Sequence, residues 1–434
     1  MIKIDLKQDK KLIFLCLIVI CVGIIKYFIP ALNPLQYAFL IFHIIIILSA
    51  KEEEFIPIVL FNHTCSALYD DVSFQYIFNL TIVIFTLKII LSKNIKLNKT
   101  LFFFFVVLVI YELILNFVNI GISSQLLNLV TFFSSYLFAI LIISSKNKMF
   151  INLELIYKYF FWGFIASAIA GYMYPISNWG ITNIPVAYRF KGLLRDSNYY
   201  SVDALLLIIS SMLYKKRVTK EAIIILLVGL LAVSKMFIVV SLLAFFIALF
   251  NQIIKVRSKK QMISLLVLLL CIPILFYFAS KTDFINDILN KYLYRTDSVS
   301  LFTGREYIQK YYMDTLAQDP ITLLFGRSTS YASVLNIGHD IEDPFYYNIV
   351  AHNTYLDMIL SWGIFGMIFY IVNIYQMFSI FKKNFCPDGK YTLWFIFFIG
   401  LCLFALSYLM LDFFAILILY IIVFSLSKKE EKSL

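Results

Sequence analysis

The stretch LFFFFVVLVIYELILNFVNI (residues 101–120) sets the class of fold. It is almost entirely apolar, and Glu112 is its only charged residue. At 1.5 Å per residue, a helix of this length is about 30 Å long, which matches the hydrocarbon core of a bilayer. The whole 434-residue chain has a similar character, with 62% hydrophobic and 15% charged residues and a mean hydropathy of +0.87. The sequence therefore predicts an all-α integral membrane protein.

Apolar runs of this kind recur along most of the chain, and we predict about 12–14 transmembrane helices. The first run follows a basic N-terminus, and no small-residue cleavage site comes after it. We therefore interpret it as a retained span and not as a signal peptide. The predicted spans lie near residues 12–29, 34–50, 55–69, 72–91, 101–120, 124–144, 155–173, 198–214, 221–233, 236–252, 261–279, 354–376, 391–409 and 411–426.

The basic residues indicate on which side of the membrane each connection lies. They cluster at the N-terminus, at Lys51 and near residues 93–99, 146–148, 215–220, 255–260, 382–390 and 428–432, which together hold 24 of the 37 basic residues. The positive-inside rule assigns these connections to the cytoplasm, so both termini are predicted to be cytoplasmic. Because the net charge of +11 is then mostly explained by topology, we predict no nucleic-acid partner.

Two long outer connections divide the chain into three predicted regions. Residues 1–280 hold the N-terminal helices and a basic outer loop at 174–197, residues 281–353 form a large extracytoplasmic helical loop domain, and residues 354–434 hold the C-terminal helices. In the loop domain, Thr303 and Glu306 form a capping-box pattern that predicts a helix at 304–318, ending before Pro320. A second loop helix is predicted near 283–293. None of the six cysteines lies in this loop, which excludes a disulfide framework there.

The stretch AHNTYLDMILSWGIFG (residues 351–366) places a histidine where the outer loop re-enters the membrane. On a helix that starts there, His352, Tyr355 and Leu356 share one face. A histidine near its ordinary pKa can accept a proton from a hydroxyl nucleophile. The alternative is that His352 only caps the helix, beside Asn353.

Arginines on both outer loops suggest an anionic ligand. Arg189 and Arg195 lie on the first loop with Lys191 between them, and Arg305 and Arg327 lie on the second. The planar guanidinium donates two hydrogen bonds at once to a phosphate and stays charged. Arg305 also falls in the first turn of a predicted helix, where the dipole favours anions. We expect a lipid-linked pyrophosphate as the ligand; the alternative is that each arginine is a solvated surface charge.

Ionisable residues inside predicted spans form a third group. The stretch GLLRDSNYYSVDALLL (residues 192–207) enters a span and places Asp203 at or just below the interface. Such residues are costly in the membrane and are functional candidates. Glu112 and Lys235 are similar, and for all three the alternative is a buried pair or a snorkelling side chain. Among the histidines of the spans, we expect His43 to be packed, and the local sequence of His63 suggests no chemistry.

The acidic pairs of the chain do not form a metal motif. Asp70–Asp71 and Glu342–Asp343 could each face a divalent cation, but neither comes with a histidine or a third acid at ligand spacing. We therefore predict no metal and no cofactor.

Together these segments resemble the O-antigen polymerase and O-antigen ligase superfamily of bacterial envelope enzymes. HNTYLDMILSWGIFG resembles the family's His-Asn-x-x-Leu…Gly-Ile-x-Gly segment, TGREYI (residues 303–308) is similar to the Thr-Gly-Arg that opens its loop domain, and GLLRDSNYYSVDALLL resembles its Gly…(Asp/Asn)-x-Asn stretch. The turn LLAVSKMFIVVSLL looks like the family's Ser-Arg turn with Lys235 in place of arginine. The stretch FGRSTS departs from the family's Gly-x-Gly. The resemblance covers residues from about 190 to 370.

The resemblance implies a membrane glycosyltransferase fold and a polymerase of O-antigen or capsular repeat units. The substrates would be undecaprenyl-pyrophosphate-linked oligosaccharides, donor and acceptor, at the outer face of the bacterial inner membrane. His352 would be the general base, and Arg305, Arg189 and Arg195 would hold the pyrophosphate without a metal. The other residues assigned to the substrate are Lys191, Asn198, Asp203, Arg327, Asn353 and Tyr355.

Alternative functions share part of this pattern. A ligase would transfer the finished chain to lipid A-core with the same chemistry. A lipid-linked oligosaccharide flippase or transporter would be expected to show duplicated halves, and we see no internal repeat. A peptidoglycan polymerase is the remaining possibility. Besides membrane lipids, the expected partners are the chain-length regulator and the flippase of the same pathway.

Overall fold

The computed structural model describes residues 9–72, 77–92, 99–119, 126–144, 153–173, 190–194, 197–215, 218–232, 234, 237–242, 244–245, 305–328 and 353–385. These residues are helical apart from short turns and connections, and no strand occurs among them. The all-α prediction is therefore confirmed for the described part of the chain.

The helices have the following bounds: α1 Lys10–Phe28, α2 Leu35–Leu48, α3 Phe55–Thr64, α4 Ile77–Leu91, α5 Lys99–Asn119, α6 Leu126–Ser144, α7 Leu153–Met173, α8 Ser197–Lys215, α9 Lys220–Leu230, α10 Arg305–Gln318, α11 Pro320–Phe325 and α12 Thr354–Phe385. The bounds predicted for α1, α2, α5–α9 and α10 are confirmed to within three residues. The predicted spans at 261–279, 391–409 and 411–426, most of 236–252 and the loop helix at 283–293 lie outside the described residues.

Two predicted spans are wrong in their extent. The span at 55–69 is a ten-residue helix, α3, because the chain turns after Thr64, with Ser66 N bonded to His63 O at 3.3 Å and Leu68 N to Cys65 O at 3.0 Å. The span at 354–376 is broken at Gly363, whose φ of 66° and ψ of −173° are non-helical. Its second part continues to Phe385, through the lysines at 382 and 383, which the charge pattern assigns to a connection.

The described helices belong to two compact units. Unit 1 contains α1–α3 and α7–α9, and unit 2 contains α5, α6 and α10–α12 together with α4 from Asn79 onward. The described part of the predicted loop domain, α10 and α11, thus belongs to the same unit as α12.

In unit 1, α7 is the central helix and packs against α1, α3 and α8. Gly23 of α1 lies so close to α7 that an added Cβ would be 2.7 Å from the Cβ of Ala170, so a larger residue would force the helices apart. Lys11 forms an ion pair with Glu54 at 2.5 Å, and Lys158 forms a buried one with Asp9. These contacts bring the N-termini of α1, α3 and α7 to one end of the unit, so the three helices run in the same direction.

In unit 2, α11 packs against α12, and α5 contacts both through polar side chains. Asp319 is the N-cap of α11: its Oδ1 accepts hydrogen bonds from the amides of Ile321 and Thr322, both at 3.1 Å. Pro320 occupies the first helical position, where its missing N–H costs nothing. The predicted end of α10 before Pro320 is confirmed, and Pro320 in turn begins the next helix.

Several helices present apolar side chains to the outside and polar ones to the inside. Phe42 of α2 and Phe117 of α5 are 60% and 68% exposed, whereas His43 and Glu112 on the same helices are fully buried. Among the described residues, one stretch, Phe102–Asn119, is both long and apolar enough to cross a membrane; other apolar helices are shorter.

Candidate functional site

A histidine and an aspartate from distant parts of the chain meet inside unit 1. The Nδ1 of His63 on α3 lies 3.0 Å from the carboxylate of Asp203 on α8. The Asp203 side chain is fully buried, and that of His63 is 12% exposed. The edge of the His63 ring also packs against Phe78, with ring centroids 4.9 Å apart. Asp203 is thus part of a buried pair. A buried pair and a snorkelling side chain are the two alternatives to a lone functional charge that the sequence leaves open.

The sequence does not reveal the pairing of His63 with Asp203, because the two residues are 140 positions apart in the chain. The local sequence shows only a histidine beside an asparagine in an apolar run. The signal that could have found the pair is the presence of one ionisable residue in each of two predicted spans, since such residues usually have a partner in the membrane.

The end of the basic outer loop docks onto the same part of unit 1. The Leu193 carbonyl accepts a hydrogen bond from Ala67 N at 2.9 Å, and Leu193 N donates one to Ser167 Oγ at 2.9 Å. Gly192 has a φ of 56°, and an added Cβ there would be 2.7 Å from the Tyr200 ring. The side chain of Lys191 is partly exposed. This segment, residues 190–194, therefore lies against the C-terminal ends of α3 and α7 and the start of α8.

His43, by contrast, is a packed histidine, as predicted. Its Nε2 lies 2.8 Å from Asn62 Oδ1 and its Nδ1 lies 3.2 Å from the Tyr69 hydroxyl. The side chain is fully buried. His43 and His63 thus differ chemically, because His43 is bonded to the neutral side chains of Asn62 and Tyr69, whereas His63 is bonded to a carboxylate.

In unit 2, the break of α12 is bridged by the segment that follows α11. The carbonyls of Leu360 and Ser361 accept hydrogen bonds from the amides of Arg327 and Ser328, each at 2.8 Å. Gly326 and Gly363, with φ of 76° and 66°, let the two backbones approach. A helix end leaves its last carbonyls without intrahelical partners. At this break the other segment supplies the missing donors.

A buried carboxylate on α5 binds both segments that meet at the break of α12. Glu112 is fully buried and accepts hydrogen bonds from Ser328 Oγ at 3.0 Å and from Trp362 Nε1 at 2.8 Å. Asn116 also donates to Ser328 Oγ, at 3.2 Å. Tyr111 donates to the carbonyls of Phe325 at 2.5 Å and Trp362 at 3.2 Å. Glu112 is therefore not a snorkelling side chain, because it binds donors of two other segments inside the unit.

The guanidinium of Arg327 lies at the end of α5 and is engaged by protein groups. Its Nε donates to Thr322 Oγ1 at 2.6 Å, and its two terminal nitrogens donate to Asn119 Oδ1 at 2.9 Å and Asp319 Oδ2 at 2.6 Å. Hydrogen bonds from the Thr322 hydroxyl and from Arg327 hold the pKa of Asp319 well below its ordinary value. The Arg327 side chain remains about one third exposed.

The start of α12 carries a side-chain cap. Asn353 Oδ1 accepts hydrogen bonds from the amides of Tyr355 at 3.0 Å and Leu356 at 3.4 Å. Capping is thus performed by Asn353, and Tyr355 in the first turn is partly exposed. Arg305 is the first residue of α10, at the helix N-terminus as predicted.

The predicted site residues are distributed over both units. Lys191, Asn198 and Asp203 belong to unit 1, and Arg305, Arg327, Asn353 and Tyr355 belong to unit 2. Four of the residues singled out in the sequence lie outside the described residues: His352, Arg189, Arg195 and Lys235. The side chains of Asn198 and Arg305 also lie outside the described part of the chain. Within the described part of the chain, no group of three or more His, Cys, Asp or Glu side chains could hold a metal ion.

Comparison with known proteins does not assign this chain to a family. No protein-family model matches it, and no curated protein matches it.

Proposed function

We propose that this chain is a multi-pass glycosyltransferase of the bacterial inner membrane, with 12–14 transmembrane helices, that polymerises undecaprenyl-pyrophosphate-linked oligosaccharide repeat units on the outer face. The observation that carries the proposal is the packing of two motif-bearing segments in unit 2. The helix α10 begins at Arg305 of TGREYI, α12 begins at Thr354 of HNTYLDMILSWGIFG, and the two helices are in contact. The chain that follows α11 is also bonded to α12, through Arg327 N to Leu360 O and Ser328 N to Ser361 O.

The distribution of polarity supports a membrane location. Helices that expose phenylalanine and isoleucine while burying histidine and glutamate suit a solvent that is itself apolar. The break of α12 at Gly363 also suits a membrane. The carbonyls of Leu360 and Ser361, just before the break, accept hydrogen bonds from protein amides and do not need water.

The helix directions support the proposed topology. The alternation of basic connections requires α1, α3 and α7 to start on the cytoplasmic side, and their N-termini do meet at one end of unit 1. It also requires the end of α5 to be on the outer side. Asn119 at that end binds Arg327, which belongs to the proposed outer loop.

In the proposed reaction, the hydroxyl of the acceptor sugar attacks the anomeric carbon of the donor. His352 takes the hydroxyl proton, and the bond from the anomeric carbon to the pyrophosphate oxygen breaks with its electron pair on that oxygen. Arg189, Lys191, Arg195 and Arg305 neutralise the pyrophosphate, so the step needs no metal. A positioned base is worth about 10²–10⁴-fold in rate, and electrostatic stabilisation of the leaving group can be worth as much.

Other residues have supporting roles in this proposal. Asn353 and Tyr355 position the start of α12, and Asn198 stands in the first turn of α8 near the basic loop. Arg327 is a positioning residue, because three of its five N–H donors are used within the protein.

The experiment that tests the function is complementation of a deletion strain, read as a gel profile of surface polysaccharide. The deletion should leave single-repeat product, and His352→Ala or Arg305→Ala should fail to restore long chains at normal protein level. Lys310→Ala is the matched control, since Lys310 is an exposed cation on the same helix as Arg305. Long chains made by either variant would contradict the roles. Lipid-linked long chains that fail to reach lipid A-core in the deletion strain would instead identify a ligase.

The topology has its own test. In a cysteine-free background, Lys310→Cys should react with a membrane-impermeant thiol reagent in intact spheroplasts, and Lys220→Cys should react only after permeabilisation. Both lysines are exposed in the structure, so the difference reports the side of the membrane. Equal labelling of both positions before permeabilisation would rule out the proposed alternation.

A further inference from the structure

We infer that α11 is a re-entrant helix: it dips from the outer surface to about the middle of the membrane, and its exposed face contacts the hydrocarbon chains of the outer leaflet. The partner of this face is therefore the lipid bilayer itself. The inference rests on the membrane location in the proposed function and is independent of the proposed reaction. The helices that carry it, α5, α11 and α12, all belong to unit 2.

Hydrogen bonds to α5 fix the depth of α11. The last 18 residues of α5 are long and apolar enough to cross a membrane, and Tyr111 lies at their middle. At the start of α11, the guanidinium of Arg327 binds both the N-cap Asp319 and Asn119, the last residue of α5. At the end of α11, the carbonyl of Phe325 accepts a hydrogen bond from the Tyr111 hydroxyl. On α5 these two levels are eight residues, or about 12 Å, apart.

The length of α11 and its contact with α12 agree with this depth. A helix of six residues is about 9 Å long, so α11 covers most of the distance only if it runs nearly along the axis of α5. An added Cβ at Gly363 of α12 would be 2.1 Å from the carbonyl oxygen of Leu324, near the end of α11. Gly363 is nine residues, or about 13–14 Å, from Thr354, where α12 begins on the proposed outer side. Both neighbouring helices thus place the end of α11 near the middle of the membrane.

The chain turns back toward the outer surface after α11. Gly326 makes the turn, with a φ of 76°. The amides of the next two residues donate to the carbonyls of Leu360 and Ser361, which precede the break of α12. The hydroxyl of Ser328 accepts a hydrogen bond from Asn116, about one turn from the outer end of α5. The described chain therefore descends as a helix and begins to return as an extended segment beside it.

Protein groups satisfy the backbone where the chain turns. Within a bilayer, non-helical backbone is tolerated only where protein or enclosed water takes its hydrogen bonds. The amide of Gly326 donates to the carbonyl of Thr322 at 2.8 Å, and the two amides that follow are bonded to α12. The carbonyl of Phe325 is bonded to α5. The turn thus meets the requirement for a segment that ends inside the membrane.

The outward face of α11 is apolar. Ile321, Leu324 and Phe325 lie about one turn apart on one side of the helix, and all three are exposed, Ile321 to 65%. Their surface continues onto α12, where the exposed ring of Phe365 lies 5.8 Å from that of Phe325. The polar N-cap is at the opposite, shallower end of α11. Because this face lies at the depth of an apolar span, hydrocarbon covers it and removes it from water.

The test uses spin labels on the full-length protein in phospholipid vesicles. In a cysteine-free background, Ile321→Cys and Leu324→Cys sample α11. Phe117→Cys and Leu113→Cys are matched controls at exposed positions of α5, two and six residues from its outer end. Oxygen concentrates in hydrocarbon and a neutral nickel chelate in water, so their collision rates with a label report its depth. The label at 321 should have the depth of that at 117, and the label at 324 the depth of that at 113, each within about 5 Å, one helix turn.

Two results would overturn the inference and leave the proposed membrane location standing. Labels on α11 that collide readily with the nickel chelate, as a label on Lys310→Cys of α10 should, would place the face in water. Labels that neither reagent reaches would show that protein covers it. Two positions sample α11, so a variant that does not fold leaves the other to decide.

Failure of the proposed function gives different results. Ready collision of both α5 labels with the nickel chelate would contradict the proposed membrane location, and the inference with it. A deletion strain with unchanged surface polysaccharide would contradict the proposed reaction but would not alter the measured depth of α11.

Discussion

Removing the buried carboxylate of Glu112 is the perturbation whose magnitude the structure predicts most directly. Glu112 accepts two hydrogen bonds from neutral donors, Ser328 Oγ and Trp362 Nε1. Removing the acceptor of a buried hydrogen bond costs about 1–3 kcal/mol for the donor that is left unsatisfied. With two such donors, Glu112→Ala should lower the free energy of unfolding by about 2–6 kcal/mol.

A double-mutant cycle isolates one of these bonds. Trp362→Phe removes the indole N–H and keeps most of the ring, so it should cost about 1.5–3 kcal/mol on its own. When Glu112 is already alanine, the same substitution no longer breaks a hydrogen bond. The two effects should thus be non-additive by about 1.5–3 kcal/mol. Glu154→Ala, which removes an exposed carboxylate from α7, is the control and should change stability by less than about 0.5 kcal/mol.

The assay is thermal or denaturant unfolding of the purified protein in one detergent, with all four variants measured under the same conditions. If the effects of Glu112→Ala and Trp362→Phe add within about 0.5 kcal/mol, the bond between α5 and α12 contributes no stability and the reasoning is refuted. A loss of stability in Glu154→Ala as large as in Glu112→Ala would show that charge, and not the buried contacts, determines the result.

Two further predictions concern the same unit. Gly363→Ala should destabilise the protein by about 2–5 kcal/mol, because the backbone conformation suits only glycine and a Cβ would be 2.1 Å from Leu324 O. Ile368→Ala, at an exposed position of the same helix, is the control and should have little effect in the same unfolding assay. The pKa of Asp319 is lower in the folded than in the unfolded protein, so Asp319 stabilises the fold above about pH 4 and loses this effect as the pH falls through the folded-state pKa. The stability difference between wild type and Asp319→Asn should accordingly shrink from about pH 7 to about pH 3, and a constant difference would contradict this role.

Much of the helical architecture follows from the sequence, because it depends on local patterns. A run of about twenty apolar residues forms a helix wherever it is buried or in lipid, so the predicted bounds of α1, α5 and α7 agree with the structure to within three residues. The capping pattern before Arg305 and the position of Pro320 likewise predict α10, since caps involve neighbours within one turn. Charge alternation predicts which helices run in the same direction, and the ion pairs at the N-termini of unit 1 agree with it.

The tertiary structure alone decided which polar groups meet. Nothing near His63 in the chain points to Asp203, and nothing near Glu112 points to Ser328 or Trp362, because these pairs are separated by 140 to 250 residues. The break of α12 is missed for the same reason. In the sequence, a glycine within an apolar run is compatible with a continuous helix. In the structure, the helix breaks at Gly363, and the carbonyls of the preceding turn accept hydrogen bonds from the amides of Arg327 and Ser328. Helices are determined by local periodicity, whereas a buried polar contact depends on which helices pack together.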